Sequence, residues 1–153
     1  MELAEQYILG VVSGEILVNK HVKNAVKRHL NDLEKSSTDD FEYYFDKKIA
    51  TAYCKAIRLI PHTSGSVAGK PFQLEGWQAF FVWCLYGWRK KSDHYMRFRK
   101  AYIEIPRKNG KTEFLAALGT LDIILNNIKG TEYYWAATTE KQAKIGWSRQ
   151  EVM

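Results

Sequence analysis

Cysteine is scarce in this chain of 153 residues: Cys54 and Cys84 are the only two. They stand far apart, without Cys-x-x-Cys spacing, so reduced, buried thiols are the expectation rather than a disulfide framework. The four histidines have no cysteine or carboxylate partners at ligand spacing, and no zinc site is legible. His21 and His29, eight apart on a predicted helix, read as surface or interhelical side chains. No apolar run approaches the length of a bilayer-crossing helix. The start, Met1–Gln6, lacks the basic end and apolar middle of a signal peptide, which makes a cytoplasmic protein the expectation. Internal repeats and low-complexity tracts are absent as well. What is present is an ordinary globular composition, 46% apolar, enough for one domain with a real core.

Charge is the first departure from the ordinary. The formal net charge of +6 favours polyanionic company, whether nucleotide, nucleic acid or both. Much of the excess is local: Arg89, Lys90, Lys91, Arg97, Arg99 and Lys100 are set against a single Asp93. Such a run is either a solvated face or a contact for phosphate or nucleic acid.

The N-terminal part is helical by pattern. A helix is predicted over residues 2–13, with Leu3, Tyr7 and Val11 on one stripe and Ser13-Gly14 at its end. A second follows Asn19, with Val22, Val26, Leu30 and Leu33 on one face and Lys20, Lys23, Lys27 and Arg28 on the other. Asp39, with Glu42 three residues on, predicts a cap for a third helix over 41–59, stopped before Pro61. Residues 62–70, rich in glycine and small side chains, are the expected hinge. They divide a helical region, 1–61, from a second region, 71–153. That region opens with an aromatic segment whose helix begins near Glu75. Phe72, Trp77 and Gln78 there are core packing on one reading and an adenine pocket on the other, with Gln78 offering both donor and acceptor to a base edge.

The stretch Tyr102–Glu113 organises the rest. Ala101, Ile103 and Ile105 read as one face of a strand, Arg107-Lys108-Asn109 as a basic turn, and Gly110-Lys111-Thr112 as the opening of a helix predicted to run to about Asn127 and to end at Lys129-Gly130. Phosphate-binding loops are built on that layout: backbone N–H groups and the helix N-terminus favour an anion, a lysine reaches the terminal phosphates, and a threonine hydroxyl ligates Mg²⁺. The full pattern G-x-x-x-x-G-K-[ST] would place glycine where this chain has Ile105. A plain strand–turn–helix with a solvated turn is the competing reading. Glu132–Thr138 reads as a further strand, and Thr139 with Gln142 as the cap of a last helix. Strand–helix–strand–helix of this kind predicts an α/β fold: a helical N-terminal region followed by the start of a parallel nucleoside-triphosphatase sheet, incomplete here.

Taken in order, these residues resemble the N-terminal, ATPase portion of a tailed-bacteriophage terminase large subunit. The linked matches are Ser13-Gly14-Glu15-Ile16, Ala25–Leu33, Gly69–Gln78, Gly87-Trp88, Tyr102–Thr112, and Ala136–Thr139 with Gln142-Ala143. They cover essentially the whole chain. The resemblance implies a variant Walker A loop that tolerates Ile105. It implies ATP phosphates bound by Arg107, Lys108, Asn109, Gly110, Lys111 and Thr112, with Mg²⁺ on Thr112. Arg107 and Lys111 are the implied catalytic residues, and the adenine motif falls on Leu74–Gln78, with Gly76 where proline is commoner. Implied partners are double-stranded DNA, a small terminase subunit and a portal, in an oligomeric motor working in the host-cell cytoplasm without a membrane.

No run of four apolar residues followed by Asp-Glu occurs after Thr112, so the acid for Mg²⁺, the water-positioning glutamate and the nuclease domain of such proteins are not in this sequence. The expectation is an ATP-binding half-site, deficient in hydrolysis by itself. Two alternatives stay open: a helicase-like translocase, and a non-catalytic module whose basic N-terminal helices contact DNA or a small terminase subunit.

Overall fold

A computed structural model describes residues 1–125, 130 and 132–153. The chain divides into two compact units, each assembled from two segments. The first comprises residues 1–54 and 74–101, the second 55–73 and 102–153.

Four helices and a hairpin-like strand pair make the first unit. Helix α1 (Leu3–Ser13) ends on Gly14 at φ 86°, a left-handed value that glycine adopts without cost. Helix α2 (Lys20–Lys35) is capped by Asn19, whose side chain accepts from the N–H groups of His21 and Val22. Helix α4 (Gly76–Gly87) starts in a box in which the Glu75 N–H donates to Gln78 Oε1 at 2.8 Å. The apolar stripes of α1, α2 and α4 close on a cluster of Tyr7, Ile8, Val11, Val26 and Phe80. A second cluster joins Ala4, Ala50, Ala79 and Trp83, a side chain only 2% exposed whose loss to alanine would cost about 3–5 kcal/mol. Gly76 has a steric reason: a Cβ there would lie 2.9 Å from Tyr7 Cδ2.

The helix expected over 41–59 is corrected. Tyr43–Phe45 is a strand, β1, and the helix that follows, α3, covers Lys47–Ala56. β1 pairs antiparallel with β2 (Trp88–Lys90), Tyr43 opposite Lys90 and Phe45 opposite Trp88. Three consecutive aromatics suit a pleated, half-buried edge better than a helix interior. Asp46, not Asp39, supplies the cap, accepting from the Ile49 N–H at 3.0 Å.

The second unit holds α5 (Lys111–Leu125) and α6 (Glu140–Val152), packed on each other. The expected end of α5 at Asn127 and Lys129 lies outside the described residues. Residues 60–72 form a closed loop: Pro61 bridges Pro71, the His62 N–H donates to Lys70 O, and the Phe72 N–H donates to Ile60 O. Among the described residues there is no parallel sheet. Residues 101–106 and 132–137 run without strand assignment, and among the described residues their backbones make no ladder hydrogen bonds. Each segment keeps a strand's alternation: Ile103 and Ile105, and likewise Tyr133 and Trp135, are half-buried between exposed neighbours. Two such segments are too few for a parallel sheet covered on both faces.

Candidate functional site

Residues 106–111 are exposed and connect extended backbone to the first turn of α5. Two left-handed residues shape the turn, Lys108 at φ 67° and Gly110 at φ 68°. For a lysine that conformation costs on the order of 1–2 kcal/mol, so the surroundings must hold it. Asn109 contributes by donating from Nδ2 to the carbonyls of Pro106 and Arg107, at 3.3 and 3.2 Å. Those carbonyls are thus drawn together under the amide, and the turn's N–H groups are left unspent. Among the described residues, no backbone N–H from Arg107 to Glu113 donates a hydrogen bond.

The helix behind the turn is firmly seated. The Phe114 N–H donates to Gly110 O at 2.9 Å, and Phe114 is fully buried. Phe72 lies 6.3 Å from the Phe114 ring and stacks on His62 at 4.5 Å. A four-residue polar lock fixes the first turn of α5 from the side. Glu113 accepts from the backbone N–H of Thr63, from Thr63 Oγ1 at 2.8 Å and from Arg149 Nη1 at 2.8 Å. The same guanidinium donates to Ser64 Oγ. Nothing in the sequence announced this lock, because Glu113 and Arg149 sit on separate helices and neither spacing nor motif links them. An open cleft of about 360 Å³ lies beside it, lined by Thr63, Lys141, Ser148 and Arg149 among others, and none of the residues 106–112 lines it.

The geometry therefore offers an anion a short arc of unspent N–H groups at the positive end of a 15-residue helix, with three flexible cations on it. Arg107, Lys108 and Lys111 have no carboxylate partner among the described residues. Thr112 is half-buried, and its hydroxyl has no hydrogen-bond partner there either. No cluster of three or more His, Cys, Asp or Glu side chains fit to hold a metal occurs among the described residues. Among the described residues, a divalent ion would be held as Mg²⁺ commonly is, by one hydroxyl or carboxylate together with substrate phosphates and water. Thr112 fits that use.

The residues expected at the adenine stand as follows. Phe72 belongs to the second unit and is 3% exposed, enclosed by His62 and Phe114. Trp77 and Gln78 belong to the first unit. Trp77 packs on the Tyr7–Phe80 cluster. Gln78 is buried, its Oε1 taken by the Glu75 N–H, while its Nε2 has no partner among the described residues.

Three of the six cations in the basic run at 89–100 are spent inside the first unit. Arg89 donates to the carbonyls of Tyr86 and His94, and Lys91 to that of Thr38. Arg97 pairs with Asp32 at 2.7 Å and lies over Phe41, Tyr43, Trp88 and Phe98, its Cζ 4.6–5.4 Å from their centroids. Arg99 and Lys100 remain exposed.

The turn and the helix it opens lie inside a segment that matches an ATPase family. More particularly, residues 76–148 match the family model for the terminase large subunit, ATPase domain, and that segment is the ATPase portion of a terminase large subunit. No curated protein and no solved structure matches it. The family is one of DNA packaging. Among the described residues, no helix is long and apolar enough to cross a membrane.

Proposed function

We propose that this chain binds ATP with Mg²⁺ through residues 106–112, as the nucleotide-grasping part of a motor that moves double-stranded DNA into a capsid. The observation that carries the reading is the exposed turn with its unspent N–H groups and unpartnered cations, lying inside the family-matched segment. In this proposal the N–H groups of 107–113 hold the β- and γ-phosphates, and Lys111 spans them. Arg107 faces the γ-phosphate, and Thr112 and the phosphates share the metal. Mg²⁺, when bound, neutralises charge that develops on the phosphoryl oxygens. Lys108 and Asn109 keep the turn open, the lysine by its left-handed backbone and the asparagine by its two carbonyl contacts. The adenine role of Phe72, Trp77 and Gln78 belongs to the same proposal. A small terminase subunit, a portal and an oligomeric ring in the host cytoplasm complete the picture that the family suggests.

The test is MgATP affinity of the protein against its Lys111→Ala variant, read by calorimetry, with circular dichroism confirming that both are folded. A charge-assisted contact to phosphate is worth about 1.5–3 kcal/mol, so the variant is expected to bind about 10- to 100-fold more weakly. Equal affinity of the two proteins would overturn the reading and favour a module without nucleotide chemistry.

A further inference from the structure

The exposed face of α2 is cationic over its first three turns and carries one acid, Glu34, in its last. Residues 16–31 contain no aspartate or glutamate, and Lys20, Lys23, Lys27 and Arg28 all lie in that stretch. Helical spacing puts Lys20, Asn24, Lys27 and Asn31 along the centre of the solvent face, with Lys23 and Arg28 flanking them. All six are exposed, while Val26, His29 and Asp32 on the opposite side are buried. None of the four cations forms an ion pair among the described residues. The face does not stop at the helix. Arg28 lays its guanidinium over Phe98, 5.1 Å from the ring centroid, and the next two residues are the exposed Arg99 and Lys100. A cationic stripe thus runs from the start of α2 to residue 100 within the first unit.

We infer that this stripe is a contact surface for the phosphate backbone of double-stranded DNA. Lysines about one helical turn apart, interleaved with asparagine amides, suit phosphate oxygens, which accept hydrogen bonds and carry charge without regard to base sequence. The ion pair of Arg97 and the internal bonds of Arg89 and Lys91 engage three of the six cations in the basic run at 89–100, so the binding charge is placed on α2 and on Arg99 and Lys100. The choice of DNA over an acidic protein surface rests on the terminase reading; the stripe itself is independent of the nucleotide site.

The experiment measures binding of a fluorescent 30-base-pair duplex by anisotropy, without nucleotide, at salt concentrations from about 50 to 200 mM. Three proteins are compared: the unaltered chain, Lys20→Gln/Lys27→Gln, and the charge-matched control Lys48→Gln/Lys55→Gln, which removes two exposed lysines of α3. Every phosphate that a cation no longer neutralises makes the slope of log K against log salt shallower by about 0.9. The α2 variant is therefore expected to show a slope shallower by about 1.8, and the unaltered chain to weaken by about 12-fold more than the variant across that salt range. The control should keep the original slope. Equal slopes for the α2 variant and the unaltered chain, or equal weakening in both variants, would overturn the inference. So would a polyglutamate probe bound as tightly as the duplex, since the stripe would then be reading charge on an acidic protein. Because ATP is absent throughout, failure here leaves the Lys111 test untouched, and the converse holds as well.

Discussion

His29 is buried, and its Nδ1 accepts from Trp88 Nε1–H at 3.0 Å, so the ring must be the neutral Nε2–H tautomer. Burial lowers its pKa from 6.5 to about 4, with Asp32 pulling the other way and Arg28 adding a smaller push downward. The folded state therefore binds fewer protons than the unfolded state between those two values, and stability falls as pH drops through that window. At about 1.4 kcal/mol per pKa unit the loss amounts to roughly 3 kcal/mol, complete near pH 4. Urea unfolding at pH 7 and pH 4.5 checks this. The unaltered protein should lose more stability between the two than His29→Gln, and an equal loss in both would disprove the assignment. The same neighbourhood explains why Arg97 is engaged internally although it stands in the basic run at 89–100. Arg97 is held by Asp32 and four aromatic rings, which a charge count along the chain has no means of showing.

Among the elements, the cap predicted at Thr139 is present, its Oγ1 accepting from the Gln142 N–H at the head of α6. The sequence predicts a capping box at Asp39, because Glu42 completes it, and the structure puts the cap at Asp46. The long-range pairing of Tyr43–Phe45 with Trp88–Lys90 decided for the second. Such pairing is invisible to a window of neighbouring residues. The two aspartates make a direct comparison. Asp46→Ala should cost about 1 kcal/mol in chemical denaturation, the usual worth of an N-cap. Asp39→Ala, at an exposed turn, should cost within about 0.5 kcal/mol of nothing. Equal losses would restore the longer helix. The turn at 106–112 was legible as a turn for the opposite reason: its shape depends on residues adjacent in the chain. The Glu113–Arg149 lock that steadies it was not, since it depends on two helices meeting.

For the molecule as a whole, the two units differ in how their backbone is satisfied. In the first, α1, α2 and α4 close on shared apolar clusters, and β1 and β2 pair with each other. In the second, α5 and α6 pack together, but the segments on either side of α5 lie extended with no ladder among the described residues. Protection from exchange requires a hydrogen bond that opens rarely, and burial that keeps water away when it does. Amides at 102–106 and 132–138 meet neither condition, apart from Pro106, which has no N–H to exchange. The N–H groups of α2 and α4 are bonded within helices, and those helices are anchored by Val26, Phe80 and Trp83. Hydrogen exchange followed by mass spectrometry should therefore show the two extended segments exchanging within the earliest time points. α2 and α4 should remain protected through the decades of time that global unfolding sets, with α5 between these extremes. Equal protection across residues 20–60 and 98–138 would mean that the extended segments pair after all. Addition of MgATP supplies the discriminating second arm. An anion seated on the N–H groups of 107–113 should slow exchange there and in the first turn of α5 while leaving 132–138 unchanged, because only the former amides would gain an acceptor.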